Sequence, residues 1–159
     1  MQRRVKDGFS LMEVNLAILL MAVGLMSLFA LFPAALKESE KGIADTQEAM
    51  FADTILSTME GNAMGITNWS IWANESTTDT NAFRKVVKQN IPYISSLLEN
   101  VESTPIEFPA DSGYVVRCKY VIGNNANRRR KVTLWVRYTR YGSFAEARVY
   151  DTELIYLGM

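Results

Sequence analysis

Histidine is absent from the 159-residue chain, and cysteine occurs once, at Cys118. Without an imidazole there is no Ser-His-Asp triad, no Cys-His pair and no histidine metal ligand. One thiol excludes an intramolecular disulfide framework and any cysteine-cluster metal site, and it is compatible with an oxidising exterior. Nine glycines and four prolines are too few for a disordered or collagen-like chain, while 48% hydrophobic residues is ordinary for a packed core. These absences remove most hydrolase and metalloenzyme classes and imply no cofactor. A binding, assembly or carboxylate-based protein of one domain is what the length and composition leave.

Charge is balanced in total, 17 basic against 17 acidic residues, but it is segregated. Lys37 to Asp111 holds five basic and twelve acidic residues, a balance of −7. Ser112 to Met159 holds nine basic residues against three acids, a balance of +6.

Apolar residues are concentrated as well. From Val14 to Leu36 the chain carries 23 residues without a charge. As a helix this stretch is about 34 Å long, enough to cross the hydrocarbon core of a bilayer. A short chain could not surround such a helix on every side. A cleaved secretory signal would have a shorter apolar region ending in a small-x-small site. Arg3, Arg4 and Lys6 precede the run against Asp7 alone, whereas Lys37, Glu38, Glu40 and Lys41 balance after it. The basic end is therefore expected in the cytoplasm and the C-terminal body across the membrane. Glu13 lies at the head of the run. Its position admits two accounts: a functional ionisable group needing a partner, or a carboxylate favoured by the positive end of the helix dipole.

Gly8-Phe9-Ser10-Leu11-Met12-Glu13, after a short basic stretch and before the apolar run, resembles the class III signal of type IV pilins and pseudopilins. Over about the first 60 residues the chain is most similar to minor pilins of the pilus-modification type, minor pseudopilins of type II secretion and pilin-like proteins of verrucomicrobial bacteria. The resemblance implies a pilin fold, cleavage by prepilin peptidase between Gly8 and Phe9, and methylation of the new amine of Phe9. It implies that Glu13 pairs in the filament with the N-terminal amine of a neighbouring subunit. It divides the chain into a leader, residues 1–8; a transmembrane and assembly helix, 9–36; and an exported α+β body, 37–159. Expected partners are the peptidase, other pilin subunits in a homo-oligomeric or mixed filament, and the inner-membrane assembly platform. Gly24 and Pro33 sit where pilin helices carry a breaker; local melting and ordinary tolerance in a membrane helix both account for them. Asn15 departs from the usual apolar residue. With a single cysteine, the disulfide-closed C-terminal loop of some pilins cannot be carried over.

Beyond the membrane stretch, Ile43, Phe51, Ile55 and Met59 recur at helical spacing, with Asp45, Glu48 and Asp53 placed elsewhere on the helix. One spine helix is expected from about Phe9 to about Glu60, stopped by Gly61 and Gly65. Residues 66–80 read as a loop in which Trp69 and Trp72 pack onto the body. A second helix is expected from Asn81 to Asn90, capped by Thr80 or Asp79, with Phe83, Val86 and Val87 inward. A helical turn is expected from Ile94 to Val101, then a linker marked by Pro105 and Pro109. From Gly113 the period becomes two. Tyr114, Val116, Cys118, Tyr120 and Ile122 form one face, and Val132, Leu134, Val136 and Tyr138 another, across a Gly123-Asn124-Asn125 turn. A third strand is expected from about Phe144 to Tyr156 after a Tyr141-Gly142-Ser143 turn. Together these give an α+β fold of three to four antiparallel strands packed on the spine, with Cys118 as a small buried hydrophobe.

Arg128, Arg129, Arg130 and Lys131 are expected in a hairpin loop. They are candidates for anion binding, toward DNA, anionic glycan, a host surface or the acidic half of a neighbouring subunit; a solvated hairpin tip is the plainer account. Two function classes stay open: an assembly subunit of a membrane-anchored filament, and a binding module displayed on one. An enzyme is not expected, because the acids show no paired spacing.

Overall fold

The computed structural model describes residues 10–74, 81–91, 93–139 and 143–158. The fold is α+β: a long N-terminal helix packed on a four-stranded antiparallel sheet. Helix α1, Leu11–Met64, has 54 residues and contains Gly24, Pro33 and Gly61 without interruption. It passes the stop expected at Gly61 and ends before Gly65. A helical glycine costs about 1 kcal/mol, and burial of Met59 and Ala63 on either side of Gly61 offsets that cost.

Contacts divide the chain into two units, Met1–Ile43 and Ala44–Met159. In the first, every described residue is exposed, and the α1 stretch there is long and apolar enough to cross a membrane. In the second, α1 buries Ala44, Glu48, Phe51, Ala52, Ile55, Met59 and Ala63, spaced as one helical face. The expected stripe is thus shifted. Ile43 is exposed, and Glu48 lies on the buried line where an apolar residue would be ordinary.

The sheet is a meander of β1, Ile106–Glu107; β2, Val115–Ile122; β3, Arg129–Tyr138; and β4, Arg148–Ile155, in spatial order β1-β2-β3-β4. Cys118 lies opposite Val136, and Leu134 opposite Tyr150. The even-numbered residues Val116 to Ile122 and Val132 to Tyr138 are buried, as their alternation predicts. Between Pro105 and Pro109 the chain is a short edge strand rather than a linker. The last strand starts later than expected, because Phe144–Glu146 form a 3₁₀ turn. Tyr141 and Gly142 lie outside the described residues.

Trp69–Trp72 form a one-turn helix, α2, in the stretch read as a loop; the Asn68 side chain accepts from the Ser70 N–H. Trp72 is fully buried against Phe83 and Tyr156, and Trp69 stacks edge-on to Tyr156, so both tryptophans pack this segment onto the body. Helix α3 is shorter than expected, Ala82–Val87, and its cap is Asn81, whose side chain accepts from the Phe83 N–H. Thr80 and Asp79 lie outside the described residues. Asn62 Nδ2 donates to the Val87 and Gln89 carbonyls and so satisfies the end of α3. Residues 93–101 form turns in place of the expected helical turn. There the Leu97 carbonyl accepts from Lys88 Nζ and the Tyr120 hydroxyl, and the Glu99 carboxylate takes the Ile122 N–H and Arg84. Side-chain bonds to the sheet replace the helical ladder.

Candidate functional site

At the head of α1, Ser10 and Glu13 bond reciprocally. The Ser10 N–H donates to Glu13 Oε2 at 2.9 Å, and the Glu13 N–H donates to Ser10 Oγ at 3.3 Å. This is a capping box, which satisfies donors that no helical carbonyl can reach. Its signature, Ser-x-x-Glu before an apolar run, was legible in the sequence and adds a local partner for Glu13 to the two accounts above. The carboxylate stays exposed, beside Met12, Asn15 and Leu16. Gly8 and Phe9 lie outside the described residues.

The basic cluster does not form one exposed tip. Only Arg128 stands before β3, with a positive φ of 65°; Arg129, Arg130 and Lys131 belong to the strand. Strand alternation sends Arg130 inward, in phase with Val132 and Leu134, where it is fully buried. Its guanidinium donates to the carbonyls of Trp72 (2.7 Å), Asn74 (3.0 Å) and Gly123 (3.1 Å) and lies 4.5 Å from the Phe83 ring centroid. Arg129 pairs with Glu153, and Lys131 with Asp151 at 2.8 Å. The Lys131 and Thr133 side chains hold the Asp151 carboxyl below its ordinary 3.8. Of the four candidates, Arg130 is a structural strut and two are cross-strand partners of acids.

Pattern reasoning missed a buried acid on α1. Glu48 is 2% exposed; its Oε1 accepts the Tyr138 N–H at 2.6 Å, and its Oε2 has no hydrogen-bond partner. Arg148 lies 3.5 Å from that oxygen and 2.7 Å from Asp45. The signal was its spacing, three and seven residues before Phe51 and Ile55. Burial raises the Glu48 carboxyl above its ordinary 4.5, outweighing the Tyr138 N–H, Arg137 and Arg148, while Asp45 adds to the rise. A raised folded pKa means that folding favours the protonated acid. Its contribution is complete below about pH 4.5 and is lost as pH rises through the folded value. Glu48→Gln keeps the acceptor for Tyr138, so its stability relative to wild type should climb over that same rise. Denaturant titrations at a series of pH values check this, and a pH-independent difference would contradict it.

Cys118 is fully buried, and its thiol is pushed up to about 11 by burial, against a lowering contact from Ser103. That suits a packing residue and not a nucleophile. No protein-family model, curated protein or solved structure matches the chain.

Proposed function

We propose that the chain is a minor pilin-like subunit of a type IV pilus or a related type II secretion filament. In this proposal prepilin peptidase cuts it between Gly8 and Phe9, and α1 carries it into the filament. One observation supports this above the rest: a single helix has a bare apolar stretch before Ala44 and forms the core of an α+β body after it. A bare stretch of that length needs lipid around it before assembly and other helices afterwards. Before assembly the subunit would sit in the bacterial inner membrane, with its N-terminus cytoplasmic and its body periplasmic. After assembly it would belong to an extracellular filament or a periplasmic pseudopilus. A displayed anion-binding module is the weaker account, because Arg130 is used inside the body and Arg129 and Lys131 are answered by acids.

Processing tests the proposal directly. With prepilin peptidase co-expressed, mass spectrometry of the membrane-extracted chain should show an N-terminus at methylated Phe9. Gly8→Val should leave residues 1–8 attached, because a Cβ and its branches crowd the backbone where it must enter a protease cleft. An uncut wild-type chain in the presence of active peptidase would refute the assignment.

A further inference from the structure

β4 is the last strand of the sheet, and among the described residues its outer side has no partner. The Tyr156 N–H donates to the Arg128 carbonyl at 2.9 Å, continuing the β3–β4 register. Antiparallel ladders alternate residues bonded to the neighbour with residues facing away. The N–H and C=O groups of Val149, Asp151, Glu153 and Ile155 therefore face the open side, and all four residues are exposed.

Sheet edges are commonly protected by shortness, proline, lysine or a bulge. The opposite edge follows that rule, with two residues between Pro105 and Pro109. β4 is long, with eight residues, no proline and an unbroken register from Arg148 to Ile155, and what guards it is charge: Arg148, Asp151 and Glu153.

A groove of about 470 Å³ lies between this strand and α1. Ala49 and Ala52 leave it open on the helix side, and its charged lining residues are Asp53, Glu60 and Asp151, all acidic. Lys131 answers Asp151, and Glu60 receives the Thr152 hydroxyl. Among the described residues no cation pairs with Asp53 or Glu60.

We propose that the β4 edge accepts an extended segment of another polypeptide as a fifth strand, and that this segment is basic. Main-chain bonds to the four outward residues would hold it, and Asp53 and Glu60 would select lysine or arginine at alternate positions. A second copy of β4 is disfavoured in the three central registers. Antiparallel self-pairing centred on Asp151, Thr152 or Glu153 sets Asp151 against itself, against Glu153, or Glu153 against itself. Like charges directly opposite destabilise a strand pair. This inference does not depend on the filament assignment.

The test is amide hydrogen exchange by NMR on the full chain in detergent micelles at low salt. The probes are a capped peptide alternating valine and lysine and its valine and glutamate counterpart. The lysine peptide should slow exchange at Val149, Asp151, Glu153 and Ile155 by about tenfold or more, and the glutamate peptide should not. Glu153→Pro removes an outward N–H without touching the β3–β4 ladder. It should keep the Leu134 and Leu154 amides protected while abolishing the peptide effect at the remaining outward amides. No slowing by the lysine peptide, or equal slowing by both peptides, would overturn the proposal. Protection that grows with protein concentration alone would assign the edge to a second copy, and would overturn it too.

Discussion

Glu13→Gln and Glu13→Ala should both insert and be cleaved, and both should fail to enter filaments. In the isolated chain Glu13 serves as the N-terminal capping acid, taking the Ser10 N–H at 2.9 Å. Glutamine can keep that bond, since either side chain completes a capping box, whereas alanine loses it at a cost of about 1 kcal/mol. The two variants therefore separate a helix cap from a counter-charge. If Glu13 neutralises the amine of a neighbouring Phe9 in an apolar bundle, both variants leave that amine unpaired. Removing one partner of a buried ion pair costs about 3–5 kcal/mol, roughly a hundredfold or more in incorporation. The measurement is recovery of each chain in sheared-filament and membrane fractions. Wild-type recovery of Glu13→Gln, with a deficit for Glu13→Ala alone, would reduce Glu13 to a cap.

Arg130→Ala should destabilise the body by about 3–5 kcal/mol, whereas Arg128→Ala should change stability by less than about 0.5 kcal/mol. The truncation strips both guanidinium bonds from the Trp72 carbonyl and one from the Gly123 carbonyl, while the Asn74 carbonyl keeps its bond from Asn81 Nδ2, and it leaves a void against the Phe83 ring. Each buried acceptor left unsatisfied costs about 1–3 kcal/mol, and the lost stem adds a cavity. Arg130→Lys should recover only part of the loss, because an ammonium on a flexible stem cannot reproduce the planar fork that reaches three carbonyls. Equilibrium denaturation of the three variants measures this. Similar small effects at positions 128 and 130 would mean that the cluster is a solvated surface after all.

Much of the architecture was legible in residue spacing. Alternation over Val116–Ile122 and Val132–Tyr138 assigns two strands and their inner faces, and the uncharged run to Leu36 assigns the exposed helix. Spacing failed at short elements. β1 has only two residues, too few to show a period, and α2 is a single turn. Helical periodicity after Ile94 was broken by bonds that the Leu97 carbonyl and the Glu99 carboxylate make to residues far along the chain.

Glu48 and Arg130 mark the boundary between the two sources of information. Each sits in phase with a buried face, but the sequence reading sets Glu48 off the apolar stripe and Arg130 in a hairpin loop, and only the fold shows both buried. Whether a charge can stay there depends on desolvation being met by specific partners. For Arg130 those partners are carbonyls as many as 58 residues away, and for Glu48 an N–H 90 residues away. Nothing local encodes such distances, because they exist only once the connection between α1 and the sheet has closed. The sequence determined a bare apolar helix and an alternating sheet. Only the tertiary structure decided which charges are buried, what satisfies them, and which edge of the sheet is left open.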